Sequence, residues 1–228
     1  MTVAGAPLAV CDHTAEPCRT FASMPVVDLC PRLRAIVVPP RGLPADVLVR
    51  PINADLSTLL AVGAIGDDGV RDVLVLPRHC LHFWGLAESD LWDLAIGNLR
   101  HETISEQVFP MAAGDELRVL MGGSWPGAAQ VLRLADALGD PLPHGALVTL
   151  PSTNAICTVP IRSRRSFDAV RVLIEVTDDL LQGDGSPWRP DVLWWNAGSL
   201  ETINATIAGP DVRMRISDHR KALFDTLD

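Results

Sequence analysis

A chain of 228 residues with 48% hydrophobic side chains is long enough to bury roughly 70–75% of the surface its unfolded form exposes, so it needs neither disulfides nor metal to be stable. Its net charge of −9 opposes the phosphate electrostatics behind most non-specific nucleic-acid affinity, which disfavours DNA or RNA as a main partner. No apolar run approaches the ~18 residues of a membrane span, and the opening MTVAGAPLAVCDHTAEP lacks a basic start and is broken by Pro7; a cytoplasmic protein is expected.

Residues 1–45 are rich in proline and small side chains and hold three of the five cysteines; they read as an irregular arm with one short strand, Arg34 to Val38, ended by Pro39-Pro40. The irregular cysteine spacings exclude a complete disulfide framework. Asp46 to Arg50 and Leu56 to Val62 follow as strands around Pro51-Ile52-Asn53, and the turn Gly66-Asp67-Asp68-Gly69 leads to a third, Val73 to Leu76. Ser89 is placed to cap a helix with Leu91, Leu94, Ala95 and Leu99 on one face and Asp90 and Asp93 where the dipole favours them. After a strand at Leu117 to Met121, Gly122-Gly123-Ser124 turns the chain into a second helix, Ala128 to Leu138, inward at Ala128, Val131, Leu132, Ala135 and Leu138 and stopped by Gly139 and Pro141.

Gly145 to Arg162, GALVTLPSTNAICTVPIR, then sets two apolar runs around Pro151-Ser152-Thr153-Asn154 and predicts a buried β-hairpin at the centre of the fold. A third helix, Ser166 to Leu181, carries the stripe Val170, Leu173, Ile174, Thr177 and Leu181 and is ended by Gln182-Gly183-Asp184-Gly185. Val192 to Trp195 is a further apolar strand, Val212 to Ile216 an edge strand, and the tail a short helix. This order indicates an α+β fold, an antiparallel or mixed sheet covered by about three helices, with 46–228 as a single domain behind the arm.

The run LWDLAIGNLR at Leu91 to Arg100, the small-residue helix at Ala128 to Leu138, GALVTLP at Gly145 to Pro151, the helix entered through Phe167-Asp168-Ala169-Val170 and the strand Pro190 to Trp195 resemble the succession in the YtpQ-like family, bacterial domains of unknown function. The resemblance covers roughly residues 47 to 205. Its matching positions are apolar or helix-forming apart from Asn98 and Arg100, so it implies a fold and brings no activity.

His79-Cys80-x-His82 puts two imidazoles and a thiol within four residues, all possible soft-metal ligands, and Cys80 beside its histidines is the best placed thiol for nucleophilic catalysis. On a strand His82 and Cys80 share a face while His79 points away, poor geometry for one ion. Cys11, His13, Cys18 and Cys30 could staple the arm around zinc, but their spacings match no regular finger. Neither a metal nor another cofactor is therefore expected. Cys157, centred in an apolar strand, reads as core.

Arg162, Arg164 and Arg165, with Ser163 and Ser166, precede a helix whose amides would favour an anion, a phosphate or carboxylate; a solvated loop or salt-bridge set is the plainer reading. Trp194 and Trp195 must point to opposite faces of their strand: one is core, and the other lies under a helix or is exposed as an aromatic anchor. The acid pairs Asp67-Asp68 and Asp178-Asp179 read as solvated.

No G-x-S-x-G elbow, P-loop or dinucleotide glycine motif is present, which takes support from the common hydrolase and nucleotide chemistries. Two classes of function remain. One is a non-enzymatic interaction module, an adaptor or immunity-type inhibitor, whose acidic surface with Trp194 and Trp195 binds a basic protein partner. The other is an enzyme acting on a small molecule in a tryptophan-lined pocket between sheet and helices, with Arg162 or the His79, Cys80 and His82 group; its mark is a deep cavity with convergent polar groups. A protein partner leads, an anionic small molecule comes second, and neither nucleic acid nor membrane is expected.

Overall fold

The computed structural model describes residues 16–65, 71–111, 114–181, 188–189, 191–209 and 211–228. Two short helices come first, α1 (Cys18–Ser23) and α2 (Val26–Arg32), with Pro25 just ahead of α2, where its fixed φ suits a helix start. Phe21 and Leu29 are fully buried. Two short helices, at 18–23 and 26–32, thus stand where an irregular arm was expected: proline and small residues hide the pattern, and the buried Phe21 and Leu29 anchor them.

The strand expected at Arg34 to Val38 is present as β1 (Leu33–Val38). It pairs antiparallel with β3 (Ser57–Ile65), while β2 (Val49–Pro51) and β4 (Arg71–Val75) lie end to end along the other edge of β3. The turn expected at Gly66 to Gly69 falls outside the described residues. Helix α3 (Glu88–Asn98) covers this small sheet with Leu91, Trp92 and Ala95. It starts one residue before Ser89, which therefore does not cap it. Leu94, expected inward, is exposed, because Trp92 takes the core position and holds the Arg50 guanidinium 4.6 Å from its ring.

The second sheet is larger. It comprises β5 (Ile104–Pro110), β6 (Glu116–Gly122), β7 (Ala146–Ser152), β8 (Ala155–Pro160), β9 (Val192–Asn196), β10 (Ser199–Ala208) and β11 (Asp211–Arg215), in the order β11-β10-β9-β7-β8-β6-β5 with every pair antiparallel. The expected hairpin is its middle, and β7 and β8 are buried along almost their whole length. The expected single sheet under about three helices is thus replaced by two antiparallel sheets and α1–α6.

Alternation along β7 explains the layering. Ala146, Val148 and Leu150 face a core with Leu120, Ile156 and Trp195, which the 3-10 segment Gly127–Arg133 and α4 (Leu134–Leu138) cover. Val37 of β1 joins the same core and couples the two sheets. Leu147 faces the other way, with Cys157, Val159 and Trp194, beneath α5 (Ala169–Leu181) and α6 (Asp218–Phe224). Among the described residues no helix is long and apolar enough to cross a membrane.

Candidate functional site

Pro77, extended at φ −69° and ψ 139°, opens a 3-10 turn over Arg78–Phe83. In such a turn side chains at i and i+3 eclipse, and His82 Nδ1 donates to the His79 carbonyl oxygen at 2.6 Å. The segment is therefore not a strand, so the divergence of His79 from Cys80 that strand geometry would impose does not arise. Both meet Cys18 of α1: His79 Nε2 lies 2.9 Å from Cys18 Sγ, and one ligating atom from each of the three residues falls within 4.8 Å of the others. Cys80 is fully buried and Cys18 nearly so.

The other nitrogen of that imidazole, His79 Nδ1, is held by the Asp46 carboxylate. The backbone puts Asp46 there, because Arg78 N donates to Asp46 O at 3.2 Å and Val47 bridges to Pro77. Helix α1 is fixed on the turn by Trp84, whose Nε1 donates to Met24 O at 2.8 Å and whose ring meets Phe21 edge to face at 6.0 Å. Nothing in the sequence marks Asp46, and the only signal joining Cys18 to His79 is that both are soft ligands. Cys30 and His82 stand outside the group, and Cys11 and His13 fall outside the described residues.

The arginine-rich loop is spoken for by structure. Ser163 accepts from Arg165 N at 3.2 Å, and Ser166 Oγ accepts from Arg162 N at 3.0 Å and Ser163 N at 3.3 Å while donating to Asp115 at 3.2 Å. These serines occupy the amides that would have held an anion. Arg162 pairs with Asp140 at 3.5 Å, and Arg164 donates to the carbonyls of Leu227 and Asp225 and lies 5.1 Å from the Phe224 ring. Arg165 stays exposed. Arg164 clasps the C-terminal segment and Arg162 is paired with Asp140, so two of the three arginines of the expected anion site already have partners.

Trp194 and Trp195 do point to opposite faces, and both are buried, at 0% and 5% exposure. Trp194 stacks edge to face on Phe167 at 5.1 Å and donates to His144 O at 3.0 Å. Helices cover both sides of the central strands, so neither ring is available as a surface anchor. This corrects the interaction role expected of them.

Two depressions test the pocket expectation. A cleft between the sheets, lined by Asp55, Leu56, Leu150, Trp188 and Asp191, encloses about 120 Å³. Burial and then the Asp55 charge push the Asp191 carboxyl above its usual range, against the pull of Arg189. A wider hollow of about 480 Å³ beside Trp125 is lined by Arg34, Glu102 and Ser124, but these bond to each other: Arg34 to Glu102 at 2.7 Å, Ser124 to Glu102 at 2.6 Å. Neither hollow contains His79, Cys80, His82 or Arg162.

Strand β5 is far more open. Six of its seven residues are exposed, with Val108 at 48% and Phe109 at 46%, and Met121 on β6, opposite Ser105, is at 43%. Met111 N donates to Asp115 O and Gly123 N to Thr103 O, so every second residue from 103 to 111 bonds β6, and the amides of Ile104, Glu106 and Val108 point away from the sheet. No family model, curated protein or solved structure matches the chain.

Proposed function

We propose that the protein is a non-enzymatic interaction module that captures an extended segment of a basic protein partner by strand addition along β5. One observation carries this reading: β5 is the outermost strand of the larger sheet, exposed on both faces, with its outer amides unused by β6. Such an edge is a template for another strand, and natural sheets usually blunt it with proline, lysine or a covering helix. Here Pro110 closes only the end of the strand. Backbone bonds would supply affinity, Val108 and Phe109 would offer apolar contacts on opposite faces, and the net charge of −9 would steer a basic partner in.

The enzyme alternative has less support. Small-molecule sites usually enclose ~300–1,000 Å³ with polar groups that converge on the space; the cleft that holds Trp188 is about 120 Å³, and the hollow of about 480 Å³ beside Trp125 has the size, but its Arg34, Glu102 and Ser124 bond to one another. A photo-reactive residue at Val108 in the full chain, used to recover the partner, followed by affinity measurements on Val108→Pro, tests the proposal. Proline at 108 removes an outward amide and spares the bonds to β6. Binding should weaken by about 10-fold or more with the melting temperature retained; unchanged affinity rejects strand addition.

A further inference from the structure

We propose that Cys18, His79 and Cys80 form a binding site for one Zn2+ ion, which fastens α1 to the turn Arg78–Phe83. Two thiols and an imidazole are the donor set that zinc prefers to oxygen-seeking cations. Around a tetrahedral zinc, with bonds of ~2.3 Å to sulfur and ~2.0–2.1 Å to nitrogen, donors sit roughly 3.5–3.8 Å apart. The three ligand atoms lie within 4.8 Å of one another, with one pair at 2.9 Å, so shifts of about an ångström complete three corners.

The imidazole is oriented for the task. Asp46 accepts a hydrogen bond from His79 Nδ1, which leaves Nε2 as the ligating atom, 2.9 Å from Cys18 Sγ and within 4.8 Å of Cys80. A carboxylate behind a histidine ligand fixes its tautomer and raises its basicity. Charge balance agrees: two thiolates neutralise a divalent cation, so the filled site places no net charge among buried groups. Cys18 and His79 are 61 positions apart, and linking them closes a long loop across the small sheet. The same sulfurs could instead join as a Cys18–Cys80 disulfide, which is the rival outcome.

The full chain, purified anaerobically from zinc-supplemented medium, should carry about one zinc per chain. Replacement by Co2+ should give thiolate-to-cobalt charge-transfer absorption and the visible bands of a tetrahedral ion. Cys18→Ser and Cys80→Ser should each lower zinc content about 10-fold or more, and Asp46→Asn should weaken zinc binding about 10- to 100-fold while keeping the cobalt spectrum. Should Cys80→Ser fail to fold, Cys18→Ser and the wild-type cobalt spectrum decide. Protein that takes up neither metal, a Cys18–Cys80 disulfide in the anaerobic material, or full zinc content in Cys18→Ser overturns the proposal.

Discussion

Cys157 has no exposed surface, and burial pushes its thiol up to about 11, against a weaker opposing hydrogen bond from Thr149. The fold therefore prefers the protonated thiol. As pH rises past the ordinary thiol range, the unfolded chain gives up this proton before the native chain does, so native stability is intact below about pH 9 and falls as pH climbs toward about 11. Across that window the loss amounts to about 2–3 kcal/mol. In urea titrations at pH 8 and pH 10.5, Cys157→Val should lose less stability over the alkaline step than the wild type; equal losses would assign the alkaline transition to other groups. The burial of Cys157 is plain in the sequence, since it sits at the centre of the largely apolar run Ala155 to Val159. The opposite directions of Trp194 and Trp195 follow from strand geometry alone, but whether each face is covered depends on helices far along the chain.

Helix α5 meets β7 through a buried polar contact, Thr149 Oγ1 to Thr177 Oγ1 at 2.6 Å, with both residues fully buried. Replacing Thr177 leaves the buried Thr149 hydroxyl with only the weak sulfur partner Cys157, which costs about 1–3 kcal/mol. Thr177→Val should therefore lower the urea midpoint by that equivalent with an unchanged slope, and adding Thr149→Val should recover part of the loss. The elements legible in the sequence are those with strong apolar patterning, the hairpin and α5; the span of α3 is legible, but its buried face is not, since Trp92 is inward and Leu94 exposed. Strands β5, ISEQVFP, and β10, SLETINATIA, escape a reading of the sequence because their exposed positions break the alternation that marks a half-buried strand. The helix expected over Ala128 to Leu138 divides into a 3-10 segment and α4 at Arg133, whose backbone leaves the helical region at φ −141° and ψ 42°. The cysteine and histidine cluster is hidden for a different reason: it joins two segments whose distance in sequence gives no spacing to recognise.

At the scale of the whole molecule, a few polar ties bind the small sheet to the large one. Trp125 Nε1 donates to Ala35 O at 2.8 Å, Gln130 Nε2 to Leu99 O at 2.9 Å, and the Arg34–Glu102 pair, with side chains 10% and 6% exposed, holds the entrance of β1 against the loop that leads into β5. Removing Glu102 takes away the counter-charge of Arg34, which keeps only the Pro31 and Leu33 carbonyls, at a cost of about 1–3 kcal/mol. Glu102→Ala should thus lower the melting temperature of the entire protein in one step, with circular dichroism and fluorescence transitions still superimposed; a second, separate transition would show that the sheets melt independently. The distribution of the aromatic side chains lends that experiment its optics. With six tryptophans and no tyrosine, ultraviolet emission comes from indole alone. Trp92 and Trp125 sit in the core of the small sheet, Trp195 in the core between the sheets and Trp194 in the core beneath α5. Each layer therefore carries its own built-in lamp, and Trp→Phe replacements taken one at a time separate the light of one layer from that of the next.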